Sequence, residues 1–267
     1  MKCRICNKKA VIFDEAVILQ KHKIKYYRCT DCGTIFTESP YWLDEAYSES
    51  ISSLDIGLIS RNIDFLPIFQ RLIDVLLPYG VPGKFLDFAG GYGVWVRMMR
   101  DRGYDFFYYD KYSKDIFNPY FVDLKKIDDS FDVVTALEVF EHVENPRLEL
   151  REVVNCTNNL IFTTQIIPDN VKKISDWWYF SPLTGQHITF YTHKSLSILA
   201  NHFKMDYLGT NAIHIFSKRP LDRNLIAGCF SGNATRGGGY FVNLFCSLIM
   251  IVSLLKKCQP INNFLKW

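Results

Sequence analysis

Four cysteines stand in two matching frames, Cys3-x-x-Cys6 and Cys29-x-x-Cys32, in a chain with eight cysteines in all. Two thiolates two residues apart can face one ion across a tight turn. Four of them close a tetrahedral shell around zinc and leave no open position for catalysis. Cys156, Cys229, Cys246 and Cys258 stand singly and read as buried apolar fillers. A second set of polar residues is acidic. Asp87 opens the turn Phe88-Ala89-Gly90-Gly91-Tyr92-Gly93, Asp110 follows 23 residues after Asp87, and Asp123 and Glu138 come next, each at the end of an apolar run. Glycines between a strand and a helix let the backbone turn sharply and pass close to a flat ligand. An acid at that turn disfavours a phosphate and favours a cation or a hydroxyl. A carboxylate ending the second strand is placed to accept hydrogen bonds from a ribose. The expected ligand is therefore a nucleoside cofactor with no pyrophosphate at the turn. The third set, Glu141, His142 and His187, supplies candidate proton acceptors.

The elements that must position these groups follow from periodicity. Residues 1–38 read as a zinc ribbon, with alternating runs at 10–13 and 23–28 as its two strands and little core beyond the ion. Residues 39–80 read as a helical lead-in. There Ile59, Ile63, Leu66, Phe69, Leu72, Ile73, Leu76 and Leu77 carry helical spacing, and Pro67 is expected to kink or split the run. Residues 81–220 alternate strand and helix, with strands expected over 85–88, 104–110, 120–124, 130–138 and 158–165 and a closing antiparallel pair over 204–208 and 212–217. That order gives an α/β, doubly wound, mostly parallel sheet with ligands at the carboxyl ends of its strands. The ring-rich segment 177–191 is expected to wall an acceptor site. In the tail, 221–267, the 16 residues 240–255 are almost wholly apolar, which is short of the roughly 20 needed to span a bilayer. They read as a hydrophobic C-terminal helix that is buried, dimerises or touches a membrane surface.

The segments Leu86–Gly93, Asp110 and Ala136-Leu137-Glu138-Val139-Phe140-Glu141-His142-Val143 resemble the S-adenosylmethionine-dependent methyltransferases with a Rossmann-like fold. The likeness covers roughly 58–218, and the four-cysteine module ahead of it is similar to that of some sugar C-methyltransferases. It implies a seven-stranded sheet completed by the closing hairpin. It further implies that Asp87, Ala89, Gly91 and Gly93 frame the methionine end of S-adenosylmethionine, that Asp110 holds the ribose, and that Asp123 and Leu124 flank the adenine. Glu138 then lies between cofactor and acceptor. Ala89 departs from the family's glycine pattern, and an alanine disfavours a positive φ there. Methyl transfer from a sulfonium is an in-line displacement that requires no metal, so the protein has only to align the acceptor and remove a proton. His187, His142 and Glu141 are the candidates for that.

Composition narrows the acceptor. With 48% hydrophobic and 22% charged residues the chain is globular, and a formal charge of +3 is too small to argue for nucleic acid. A small-molecule or sugar-type acceptor is expected. The competing reading, motivated by Ala89, is a zinc-ribbon binding module whose methyltransferase-like domain has lost catalysis. Met1-Lys2-Cys3 leads into no apolar run, so a cytoplasmic location is expected, with membrane association only through the tail.

Overall fold

Residues 1–48, 55–77, 83–117 and 131–231 are described in the computed structural model. In chain order they form β1 (Ala10–Ile18), β2 (His22–Cys29), β3 (Ile35–Thr37), α1 (Leu43–Ala46), α2 (Leu58–Leu76), β4 (Lys84–Phe88), α3 (Val94–Arg100), β5 (Asp105–Tyr109) and β6 (Val133–Ala136). There follow α4 (Pro146–Glu149), α5 (Arg151–Asn155), β7 (Asn159–Thr163), β8 (Thr189–Phe190), α6 (His193–His202), β9 (Asp206–Gly209), β10 (Ile213–Ser217) and α7 (Arg223–Ser231). Residues Met1–Ile226 make one compact unit and Ala227–Trp267 a second. The expected apolar helix over 240–255 lies outside the described residues, and among those described no helix is long and apolar enough to cross a membrane.

The central sheet has the order β5-β4-β6-β7-β10-β9. Its first four strands are parallel, and β10 runs antiparallel to both β7 and β9. Strands β6 and β7 are buried throughout and β4 at its centre, whereas β5, at the sheet edge, alternates buried and partly exposed residues; Leu86, Val134, Leu160 and Phe162 lie in one core. The expected count of seven strands is corrected to six among the described residues. The strand expected over 120–124, with Asp123 and Leu124, falls outside them.

Helix α2 runs unbroken through Pro67, which corrects the expectation of a split. Pro67 lies on the exposed face, where water can satisfy the Ile63 carbonyl that loses its partner. Its apolar stripe is narrower than the spacing predicts. Leu66, Phe69, Leu72 and Ile73 are buried, whereas Ile59 and Ile63 stand 54% and 55% exposed.

The ribbon also departs from its two-strand form. Strands β1, β2 and β3 form an antiparallel sheet, and β8, from the far end of the chain, completes it by pairing Ile35 with Phe190 and Phe36 with Thr189. So few residues cannot close a core of their own. Ile18, Ile24, Tyr26 and Ile35 therefore pack with Trp177, Tyr179, Phe180 and Phe190. Most rings of the 177–191 segment thus contribute to the core shared by ribbon and sheet.

At the turn after β4, Ala89 takes φ +57°, the conformation an alanine was expected to resist. An L-residue there costs about 1–2 kcal/mol. Ala89→Gly relieves this strain against a smaller unfolded-state entropy penalty, so a net gain of about 0.5–1 kcal/mol is expected, read as a higher urea midpoint at unchanged slope.

Candidate active site

The carboxyl ends of β4, β5 and β6 lie side by side, with Asp87 in register with Tyr108 on one flank and Thr135 on the other. This edge brings together Asp87, the glycine turn, Asp110 and Glu138. Asp87 is buried, accepts a 2.6 Å hydrogen bond from the Thr135 hydroxyl, and is pushed by burial to a pKa of about 8. A cation beside it would return it to the ionised form.

The turn is built for close backbone approach. A Cβ on Gly90 would lie 2.7 Å from Asp87 Oδ2 and 3.0 Å from the Tyr108 ring, and one on Gly93, at φ +81°, would collide with Asp115. Asp110 accepts from the Gly91 amide at 2.9 Å and from the Tyr112 and Ser113 amides at 2.7 Å each. A carboxylate has about four lone-pair sites, so in this state about one remains for a ribose hydroxyl, and not the pair that the sequence suggests. The Tyr108 hydroxyl lies 2.7 Å from the Gly91 carbonyl and 2.9 Å from that of Ser113, and pins the turn to the loop after β5.

Beyond β6 the chain enters a single helical turn, Phe140–His142. Glu138, just before it, has φ +55°, and its amide donates to Thr163 Oγ1 at 2.8 Å. Backbone strain of this kind in a non-glycine residue persists where surrounding contacts over-determine it, often at functional sites. Burial and the neighbouring Glu141 raise Glu138 to a pKa of about 7, and the Tyr179 hydroxyl donates to its Oε2 at 3.3 Å. Glu141 is fully buried and raised by burial to about 6. Both histidines are held neutral, His142 pushed down to about 3 and His187 lowered, in each case chiefly by burial.

The two histidines meet edge to face, with ring centroids 4.9 Å apart. The loop carrying His187 is latched from several sides. Trp42 Nε1 donates to the Gly185 carbonyl at 2.8 Å, the Gln186 side-chain amide donates to the Ala46 carbonyl at 2.8 Å, and the Ile188 amide donates to the Glu141 carbonyl at 2.8 Å. All three proposed proton acceptors therefore converge, next to Glu138. Sequence reasoning missed Arg61 and Tyr47, and named Tyr179 only as part of the ring-rich segment. Arg61 forms a paired hydrogen bond to Asp55 at 3.1 and 2.9 Å, and its charge bears on Glu138, Glu141 and both histidines. It sits in a helix legible only by its apolar spacing, and nothing local marks it.

The four cysteines, far apart in sequence as two pairs, come together in the structure. Cys3 and Cys32 Sγ are 3.6 Å apart, Cys6 and Cys29 Sγ 3.4 Å, and all four lie within 4.8 Å of one another. Tetrahedral zinc with bonds near 2.3 Å requires sulfurs about 3.8 Å apart, so the set fits. Amides of Ile5, Asp31 and Cys32 donate to the sulfurs of Cys3 and Cys29 at 3.4 Å, a pattern that steadies thiolates. Arg4, between the first two cysteines, donates to the carbonyls of Thr37 (2.9 Å), Glu38 (3.2 Å) and Ile188 (3.3 Å) and to Thr189 Oγ1 (3.2 Å). The Thr192 hydroxyl donates to the Cys32 carbonyl at 2.6 Å. The cysteine knuckles are thereby tied to the residues on both sides of β8.

Among solved structures, similar folds include magnesium protoporphyrin IX methyltransferase from Synechocystis PCC 6803 with bound SAH. It is 13% identical at a TM-score of 0.44, over 65% of this chain and 90% of that one. A methyltransferase of calicheamicin biosynthesis in its SAH-bound form is 14% identical at a TM-score of 0.40, over 67% and 60%. The bifunctional kinase-methyltransferase WbdD is 13% identical at a TM-score of 0.39, over 62% of this chain and 40% of its own length. The chain thus spans about two fifths of WbdD. No curated protein matches. A family model described as a methyltransferase domain matches residues 63–204, more than half of the 267 residues and inclusive of the glycine turn, Asp110, Glu138, Glu141, His142 and His187. The chain belongs to this methyltransferase domain family.

Proposed function

We propose that the protein is an S-adenosylmethionine-dependent methyltransferase acting on a small-molecule or glycan-type acceptor, with zinc held by Cys3, Cys6, Cys29 and Cys32. The observation that carries this reading is the meeting, at one sheet edge, of a glycine turn, an acid at the end of the second strand and a cluster of neutral proton acceptors. When bound, S-adenosylmethionine supplies a methyl on a sulfonium, ready for in-line displacement. Gly91 and Gly93 allow the backbone approach, Asp87 gains charge against a cationic ligand, and Asp110 offers its remaining lone pair to a ribose hydroxyl. Asp123 and Leu124 are proposed to flank the adenine.

On the acceptor side, His142 and His187 are neutral and able to take a proton from a hydroxyl, with Glu138 and Glu141 next to them to stabilise the imidazolium. The loop latched by Trp42 and Gln186 encloses this cluster and limits water. Four thiolates close the zinc shell, so that ion acts by holding the ribbon against β8 and not on the acceptor. The small net charge of +3 favours a small acceptor over nucleic acid. The non-catalytic alternative drew on Ala89, yet Ala89 adopts the left-handed conformation a glycine would supply.

Isothermal calorimetry with S-adenosylmethionine tests the proposal. One saturable site per chain is expected, weakened at least tenfold in Asp110→Ala. Absence of binding to the folded wild-type protein would overturn the reading. Binding without transfer to any acceptor in a broad screen would favour the non-catalytic alternative.

A further inference from the structure

His142 and His187 are each fixed through one ring nitrogen. The carbonyl oxygen of Gln186 lies 3.1 Å from His142 Nδ1, and that of Tyr179 lies 2.7 Å from His187 Nδ1. A carbonyl can only accept, so His187 Nδ1 carries a proton and its Nε2 keeps a free lone pair, and His142 has the same form when its Nδ1 donates to Gln186. The Tyr47 oxygen, 2.8 Å from His142 Nδ1, then accepts as well. Histidines that bind metals show this arrangement, with the far nitrogen donating to a carbonyl or carboxylate that sets tautomer and ring orientation.

The third member is Glu141. Its side chain is fully buried; neither carboxylate oxygen reaches hydrogen-bond geometry with a partner, and the nearby Tyr179 and Thr164 side chains and the Arg61 charge only partly offset that burial. His142 Nε2 lies 3.9 Å from its Oε1 and carries no proton in that tautomer, and Arg61, whose charge also bears on Glu141, is engaged in its paired hydrogen bond to Asp55. A carboxylate buried without hydrogen-bond partners is costly, and a cation bound directly to it offsets that cost. One ligand atom from each of Glu141, His142 and His187 lies within 4.8 Å of the other two.

We propose that Glu141, His142 and His187 form a binding site for a divalent first-row transition cation, separate from the cysteine site and open towards the acceptor. Two imidazoles and one carboxylate on one side of an ion, with the remaining positions free, suit iron, manganese, cobalt or zinc better than magnesium or calcium. Bonds near 2.1 Å place neighbouring ligand atoms about 3–4 Å apart, so small rotamer adjustments close the set. Burial keeps both imidazoles neutral, the form that ligates. An acceptor that presents a hydroxyl, or two adjacent oxygens, is the class such an ion would hold and make more acidic. With the ion bound, His142 and His187 spend their one free lone pair on it and no longer act as proton acceptors; only the statement about the acceptor rests on the methyl-transfer reading, and the ion site rests on the side chains alone.

Manganese(II) is the discriminating probe, because thiolates select zinc and leave manganese to the nitrogen and oxygen ligands. Full-length protein with zinc on its cysteines is titrated with Mn²⁺ and followed by electron paramagnetic resonance. One Mn²⁺ per chain is expected. Glu141→Gln and His187→Ala are expected to weaken it at least tenfold, with the zinc content unchanged. No Mn²⁺ binding by wild type, or unchanged binding in both variants, would overturn the proposal. Should the variants fail to fold, Co²⁺ added to the zinc-loaded wild type decides: weak visible bands without thiolate charge transfer support the site, and their absence refutes it. Calorimetry with S-adenosylmethionine is independent of this readout. Cofactor binding without Mn²⁺ sinks the ion site alone, and Mn²⁺ binding without cofactor sinks the methyl-transfer reading alone.

Discussion

Cys32→Ser, or removal of zinc by a chelator, is expected to melt the ribbon and to loosen the segment that carries His187. The ribbon has no core of its own, since its buried residues pack only against other parts of the chain, so an ion on the four cysteines is expected to supply a large part of its stability. Structural zinc contributes about 10–16 kcal/mol of binding free energy at neutral pH in isolated zinc-finger peptides. Here part of the sheet would survive on its aromatic packing, so the loss is smaller. A loss of about 4 kcal/mol in a protein of this size corresponds to a drop of about 8–16 °C in melting temperature. The damage travels along named contacts: β3 loses its hold on β8, and Arg4 loses the carbonyls of Thr37 and Ile188. Near-ultraviolet circular dichroism should fall as Tyr26, Trp177, Phe180 and Phe190 lose their fixed packing. An unchanged melting temperature and aromatic spectrum after zinc removal would show that the ribbon does not depend on the ion.

The second large effect is a stability optimum on the acid side of neutrality. His142, His187 and His214 have depressed pKa values in the folded protein, each chiefly through burial. In the unfolded chain they bind protons below about pH 6.5, so they favour folding more as pH rises to that point and add nothing above it. Asp87, Glu138 and Glu141 are shifted the other way, to about 8, 7 and 6. Their folded forms hold protons that the unfolded chain has already released, so they favour folding less as pH rises from about 4 through those values. Between about pH 4.5 and 6.5 the two sets oppose each other and a plateau results. Above pH 6.5 the histidines no longer contribute, Glu138 finishes titrating near 7, and Asp87 titrates on to about 8. A loss of about 2 kcal/mol between pH 6.5 and 8 is expected for the ligand-free protein. Urea unfolding across this range measures it, and Asp87→Asn, which keeps an acceptor for Thr135, should flatten the alkaline limb. Stability that rises from pH 6.5 to 8 would contradict the assignment of a buried, protonated Asp87.

Both effects depend on long-range burial, and this divides what the sequence discloses from what it hides. The strand–turn–helix at Lys84–Arg100 was legible because an apolar run, an acid and glycines occur within 17 residues. The same holds for the cysteine pairs, whose spacing is their chemistry, and for the closing hairpin of β9 and β10. Strand β8 is only two residues long and pairs with a strand more than 150 residues earlier, so no periodicity could announce it. Its pairing places most rings of the aromatic segment in a shared core, which the sequence does not announce. Arg61 was hidden for a related reason, because a charged residue in an amphipathic helix ordinarily faces solvent and only tertiary packing shows otherwise. Ala89 was legible as an irregularity, but whether an alanine would accept a positive φ depends on the loop around it.

The central claim is that the glycine turn and Asp110 seat a methyl donor beside the Glu141–His142–His187 cluster. A crystal structure with S-adenosylhomocysteine tests it most directly. The account predicts the ribose against Asp110, the amino-acid end over Gly91 and Gly93, and the sulfur facing His142 and His187. A product molecule bound elsewhere, or a sulfur turned away from the two histidines, would contradict it.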